Sequence, residues 1–323
     1  MIKVGFIGAG NRVKNFNLPA LDALKEKYEV VGCVTRTGTC SIPDLKVYNS
    51  IESLANHVDL MVVSVPALSN VDPVQRVVKS KKPILIETPL GIGMQHTKAT
   101  FTILKQSALP VGVLEQWPFL PIEMFKKQII ASGLIGTVTV VENDYRTYEY
   151  HGISQLRSYL PKGINPVDIK TQRSVFPSHD GKSDPWSIIT VKYDNGSLLI
   201  YKYSDKYKRV NYRPKKELRI YGTSGTINGD CLWDPEFFEI RSLDEEYKML
   251  CEHDSREIKA LFFTPENGTK IEWKNPFVGY GLSEHQIAVA LHYEKMYESL
   301  ECNISPLYSI QDAFLDMAIL GQG

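Results

Sequence analysis

The feature that most constrains this chain is an alternation running from residue 2 to about residue 116. Short apolar, β-branched runs ("IKVGFIG", "YEVVGCVT", "DLMVVSVP", "KPILIETP" and "LPVGVLEQ") are separated by stretches with helical spacing such as "LPALDALKEK", "PVQRVVKSK" and "HTKATFTILKQS". Strands that are apolar on both faces, with helices between them, describe a parallel sheet covered on two sides. A doubly wound α/β domain is therefore predicted for residues 1–118.

After "QWPFLP" the texture changes. "IEMFKKQIIASGLIG" reads as a helix ended by glycine. It is followed by long alternating segments, "TVTVVENDYR", "PWSIITVKYDNGSLLIYKYSD" and "ELRIYGTSGTINGD", in which "DNGS" and "GTSG" have the chemistry of hairpin turns. "LSEHQIAVALHYEKMYESLE" and "SIQDAFLDMAIL" read as closing helices. Residues 119–323 are thus expected to form an α+β domain with an open, mainly antiparallel sheet. A chain of 323 residues that is 43% hydrophobic is long and apolar enough for two cores.

Charge and cysteine usage narrow the function classes. Lys plus Arg and Asp plus Glu are equal at 37 each, so no global field draws the chain to nucleic acid or to an acidic membrane surface. The five cysteines are scattered, odd in number and without C-x-x-C spacing, which argues against a disulfide framework or a structural zinc site. His285 and His292, seven apart, would share a helix face, but with no third ligand they read as helix surface and no metal is expected. No apolar run reaches the length of a membrane span, and a cytoplasmic protein is expected.

"GFIGAGNRV" places Gly8 and Gly10 directly after the first strand and before a helix, where backbone amides and the helix dipole can meet a pyrophosphate. Val13 stands where the fingerprint has its third glycine. Asn11 and Arg12 open the helix. The second strand ends "VVGCVTRTG", with Thr35 near the place of the acid that would bind a ribose 2'-hydroxyl, then Arg36 and Thr37. A guanidinium there suits a 2'-phosphate, so NADP(H) is favoured over NAD(H).

The order of "GFIGAGNR", "VVSVP", "KPILIETPLG", "VLEQWPFLP", "KKQIIASGLIGTV" and "RIYGTSGTI" resembles the Gfo/Idh/MocA family along nearly the whole chain. The resemblance implies a Rossmann domain followed by a largely antiparallel sheet domain, a nicotinamide cofactor, a small-molecule substrate and a homo-oligomer, a dimer or tetramer. It implies that Ser64, Pro66, Asn70, Glu87, Thr88, Glu115 and Gln116 line the cofactor's path to the cleft. Two positions depart from the family. Where members have Glu-Lys-Pro, this chain has Glu87-Thr88-Pro89, and a threonine hydroxyl is neither a base near neutrality nor a cation. Where sugar dehydrogenases of the family carry Asp-x-Gly-x-His, this chain has "RTYEYHG", which aligns His151 with the histidine and Thr147 with the aspartate.

Those departures favour reduction of a carbonyl or imine, which needs a proton donor more than a strong base. His151 leads as donor because histidine titrates near neutrality, with Tyr148 second and Tyr145 and Glu115 behind. "HGISQLRSYL" is also similar to the biliverdin reductases, which leaves reduction of a conjugated system as one alternative. A non-catalytic sensor on the same fold is another. The basic, tyrosine-rich "YKYSDKYKRVNYRPKKELRIYG" would suit an anionic substrate or a solvated edge strand guarded by lysines.

Overall fold

The computed structural model describes residues 1–144, 149–177, 181, 183–204, 217–229, 231–234, 239–242, 257–265 and 270–321. The chain divides into two compact units, residues 1–119 with 277–317, and residues 120–276 with 318–323.

The first unit is built on a five-stranded parallel sheet in the order β2-β1-β3-β4-β5. Its strands are β1 (Ile2–Ile7), β2 (Tyr28–Val34), β3 (Leu60–Val63), β4 (Ile84–Ile86) and β5 (Val111–Val113). Every residue of β3 and β4 is buried, as expected of strands with helices on both faces. Those helices include α1 (Leu18–Asp22), α2 (Ile51–Ala55), α3 (Val71–Lys79) and α4 (Gly93–Leu104). Ser50 caps α2 by accepting the amide of Ser53 at 3.0 Å, satisfying one of the amides a helix start leaves without a partner. Strand order reverses between β1 and β3, so a crevice opens at their carboxyl ends, where ligands of such sheets bind.

The closing helices correct the expected domain division. The first unit ends at Phe119, one residue from the boundary read in the sequence, but it also takes back residues 277–317, which had been assigned to the second domain. The helix α7 (Glu284–Cys302) carries a capping box of Ser283 and Gln286, and Gln286 Nε2 donates onward to the Asn15 carbonyl at 2.9 Å. Its buried residues include Ile287, Val289, Tyr293 and Met296, each contributing about 1.5–3 kcal/mol relative to exposure. The Tyr28 hydroxyl donates to the Tyr293 carbonyl at 2.7 Å, tying α7 to β2. The next segment then lies beside β5, where Val113 N donates to the Tyr308 carbonyl at 2.9 Å, before α8 (Ile310–Gly321).

In the second unit β6 (Val138–Asp144), β7 (Pro166–Pro177), β8 (Ser183–Tyr193), β9 (Leu198–Ser204), β10 (Glu217–Gly222), β11 (Thr226–Asn228), β12 (Cys231–Asp234) and β13 (Glu239–Ser242) form an eight-stranded sheet of order β13-β12-β11-β10-β6-β9-β8-β7. Its pairs are antiparallel except β6 with β9, so the mainly antiparallel domain read in the sequence is observed. Both expected turns close hairpins. Tyr193 N donates to Ser197 O at 2.9 Å across "DNGS", and Gly222 N to Gly225 O at 2.9 Å across "GTSG". The helix α5 (Pro121–Ala131) ends before Gly133, whose φ of 80° is the left-handed geometry of a helix stop. The basic segment singled out in the sequence falls largely on residues 205–216, outside the described residues.

Candidate cofactor site

The site begins at the carboxyl end of β1. Gly8 has φ 91°, and a Cβ there would stand 2.3 Å from the carbonyl oxygen of Ser64. Only glycine fits, because the turn after β1 runs against the end of β3. Gly10 differs, since a Cβ on it would meet nothing within 4 Å. The chain turns helical at Asn11 and stays so through Asp22, with a wider π-type stretch over Val13–Asn17. An open backbone surface at a helix start is what close approach of a pyrophosphate requires, so these residues fit a dinucleotide. The widened helix coincides with buried Val13 in the place of the third glycine.

Next in space come the ends of β4 and β5. Arg12 Nε donates to Glu87 Oε1 at 3.0 Å, and Arg12 Nη2 donates to Gln116 Oε1 at 2.6 Å. Glu87 directly follows β4, and Gln116 lies just past β5. Glu87 Oε1 also accepts Asn17 Nδ2 at 3.0 Å, and Asn17 Oδ1 accepts the Tyr293 hydroxyl at 2.7 Å. Asn17 and Tyr293 are fully buried, so this chain of polar groups has internal partners where water does not reach. Burial, and after it the charge of Glu87, holds the Tyr293 phenol well above the usual tyrosine range. The guanidinium also lies 4.6 Å from the centre of the Phe16 ring.

Glu115 is buried; one carboxylate oxygen accepts the amide of Trp117 at 3.0 Å, and its carbonyl accepts His292 Nε2 at 2.8 Å. Because that carbonyl can only accept, a proton sits on His292 Nε2. Burial pulls its pKa down to about 4 against the smaller opposing pull of this hydrogen bond. The expectation that His292 lies on a helix surface is thereby corrected: its side chain is inside, on the same stripe as Ala288 and Met296.

The other residues named from the sequence divide clearly. Thr35 Oγ1 donates to the Thr39 carbonyl at 2.8 Å, and Thr37 Oγ1 lies 3.1 Å from Thr39 Oγ1, closing the turn after β2. Arg36 is exposed on that turn, with no ion pair among the described residues. Ser64 and Pro66 follow β3, Pro66 exposed and Ser64 half-buried. Asn70 is buried and spent on the fold: its Nδ2 donates to the Leu90 carbonyl at 2.9 Å and its Oδ1 accepts Thr100 Oγ1 at 3.1 Å. Thr88, half-buried and joined to Pro89 by a cis peptide, makes no side-chain hydrogen bond among the described residues.

His151 belongs to the second unit, in the first turn of α6 (Glu149–Arg157), where it is buried beside the ring of Tyr150 at 4.1 Å. Its carbonyl accepts Ser154 Oγ at 2.9 Å. Further along α6, Gln155 Nε2 donates to buried Glu123 at 2.8 Å. Tyr145, Thr147 and Tyr148 lie outside the described residues. Sequence reasoning missed Asn17, Phe16 and Tyr293. Nothing local marks Asn17 or Phe16, whereas Tyr293 sits amid the apolar positions of α7.

Residues 2–114 match the model of an oxidoreductase family with an NAD-binding Rossmann fold. Over those residues the chain is similar to the Gfo/Idh/MocA oxidoreductases. An uncharacterized Saccharomyces cerevisiae protein is 30% identical over 164 residues, 45% of this chain and 47% of that protein. An uncharacterized Schizosaccharomyces pombe oxidoreductase is 24% identical over 156 residues, 46% of this chain and 42% of that protein. The matches thus span about half the length of these curated relatives. A solved oxidoreductase of Thermotoga maritima superposes with a TM-score of 0.67 at 17% identity, covering 99% of this chain and 94% of its own. At that identity the likeness speaks for the fold alone, a Rossmann domain together with a mainly antiparallel sheet domain.

Proposed function

We infer that the protein is an NADP(H)-dependent oxidoreductase that works as a reductase on a small carbonyl or imine compound. The observation that carries this reading is the pairing of an open Gly10 surface at a helix start with polar side chains gathered over the ends of β4 and β5. A reduced nicotinamide, when bound, supplies hydride. The chain's own residues do the rest. Gly8 holds the turn against β3, and the Gly10 to Arg12 backbone offers amides to the pyrophosphate. Glu87, whose Oε2 has no partner among the described residues, can accept a ribose hydroxyl. Arg36 meets the 2'-phosphate with a guanidinium that has no carboxylate partner among the described residues. His151 is the proposed proton donor, with Tyr148 its alternative.

The test is a titration with NADPH and with NADH, followed by nicotinamide fluorescence. Stopped assays of the bound reduced cofactor against aldehydes, ketosugars, cyclic imines and biliverdin then complete it. Tight NADPH binding with oxidation by one class is the expected result. Binding with no oxidation by any class would favour a cofactor-sensing protein, a reading supported by the uncharged Thr88. No binding of either cofactor would refute both.

A further inference from the structure

The substrate classes left open above differ in the charge that develops as hydride arrives. A carbonyl oxygen takes the electron pair of the C=O bond and becomes negative until it is protonated. An iminium nitrogen begins positive and becomes neutral. A fixed cation beside the reacting heteroatom therefore favours the first and disfavours the second. The cation held over the ends of β4 and β5 is Arg12.

Its surroundings make it a preorganised donor. Nε is engaged by Glu87 at 3.0 Å, Nη2 by Gln116 at 2.6 Å, and the guanidinium lies 4.6 Å from the Phe16 ring centre. Glu87 is itself fixed by Asn17, and Asn17 by the Tyr293 hydroxyl. Nη1, with two N–H groups, has no partner among the described residues, and the Arg12 side chain keeps 25% of its surface exposed. The carboxylate of Glu87 offsets part of the charge but not the direction of the Nη1 donors. In an open parallel sheet the strands on one side of the reversal take the adenosine half of a dinucleotide and those on the other take the nicotinamide half. Here β2 with Arg36 stands on the first side and β4 and β5, under Arg12, on the second.

We propose that Arg12 Nη1 receives the substrate's carbonyl oxygen and stabilises the alkoxide formed on it, so that the substrate is an oxo compound and not an imine. The proposal rests on the reductase reading above. In balance, the carbonyl carbon gains a hydride from a reduced nicotinamide, the C=O pair moves to oxygen, and that oxygen ends as hydroxyl with a proton from a separate donor. Arg12 gives no proton, because a guanidinium stays charged throughout the working range.

Formate, a planar oxyanion, stands for the alkoxide, and methylammonium for the iminium. The protein saturated with NADP+ is titrated with each by calorimetry, as wild type, Arg12→Gln and Arg12→Lys. Formate is expected to bind the wild type with an affinity flat from about pH 6 to 9. Arg12→Gln should lose at least tenfold in formate affinity, a larger loss than it suffers in NADPH affinity. Arg12→Lys, which keeps the charge with fewer donors, should fall between and serves as the decisive variant if the glutamine protein fails to fold. No formate binding, an unchanged formate affinity in the variants, or tighter binding of methylammonium would overturn the proposal. So would a loss of NADPH affinity in Arg12→Gln equal to or larger than its loss of formate affinity, which would place Arg12 on the cofactor. A wild type that binds neither NADPH nor NADH would overturn the reductase reading itself, and this proposal with it.

Discussion

Substituting alanine at the two fingerprint glycines separates a glycine required by the fold from one required by the ligand. At Gly8 an added Cβ meets the Ser64 carbonyl oxygen at 2.3 Å on a backbone with φ of 91°. The left-handed conformation costs an L-residue roughly 1–2 kcal/mol, and a contact that forces backbone to move adds roughly 1–3 kcal/mol. Gly8→Ala should therefore destabilise the protein by about 2–5 kcal/mol. Gly10 has neither obstacle, since its Cβ finds no atom within 4 Å. By reducing the freedom of the unfolded chain, Gly10→Ala should leave stability unchanged or raise it by up to about 1 kcal/mol. If a pyrophosphate lies against that backbone, the same methyl must push it away, and NADPH affinity should fall at least tenfold, about 1.4 kcal/mol. Urea unfolding gives the first pair of numbers and fluorescence titration the second. A Gly10→Ala protein with wild-type NADPH affinity would refute the placement of the pyrophosphate, and a Gly8→Ala protein of full stability would refute the reasoning about the turn.

Arg36→Asp should weaken NADPH by at least tenfold, about 1.4 kcal/mol, and leave NADH unaffected or improved; equal losses for both would point to a role other than 2'-phosphate recognition. Tyr293→Phe leaves the buried Asn17 Oδ1 without its donor and should cost about 1–3 kcal/mol in urea unfolding, an effect absent if water fills the gap. His292 has a folded-state pKa of about 4, below the ordinary 6.5, so the unfolded chain takes up its proton first. Its contribution to stability is complete above about pH 6.5 and is lost as pH falls toward 4, a few kcal/mol in all. Unfolding measured across that window should show a steeper acid loss in the wild type than in His292→Gln, and parallel curves would refute the burial argument.

Much of the fold was legible because it is locally encoded. Strands β1 to β5 are largely apolar, with Lys3 and Glu29 the exposed exceptions near the starts of β1 and β2, and that pattern has few solutions other than a covered parallel sheet. The turns "DNGS" and "GTSG" and the glycine after α5 act within a few residues of themselves. The return of α7 to the first unit was not legible, since helical periodicity says that one face is buried but not against which sheet. His292 shows how a local clue can be outvoted. It is four residues from both Ala288 and Met296, a spacing that sets it within an apolar stripe, yet its polarity suggested the surface.

The site divides along the same line. Gly8 could be named because its demand is on its own backbone. The cation over the ends of β4 and β5 could not, because it is a property of three segments together. Read alone, "ETP" shows that position 88 offers no cation, and "GNRV" shows an arginine at a helix start with no stated purpose. Seventy-five residues separate Arg12 from Glu87, and 104 separate it from Gln116. Only when β1, β3, β4 and β5 lie in that order in one sheet does the guanidinium come to stand over the strand ends, where Thr88 supplies no cation. A lysine at position 88 would bring a titratable ammonium, able to take a proton from an alcohol as well as to polarise a carbonyl. Arg12 can do only the second. An arginine in that role would fit the proposed reductase only with a proton supplied by a separate donor, which follows from the acid–base limits of the side chain.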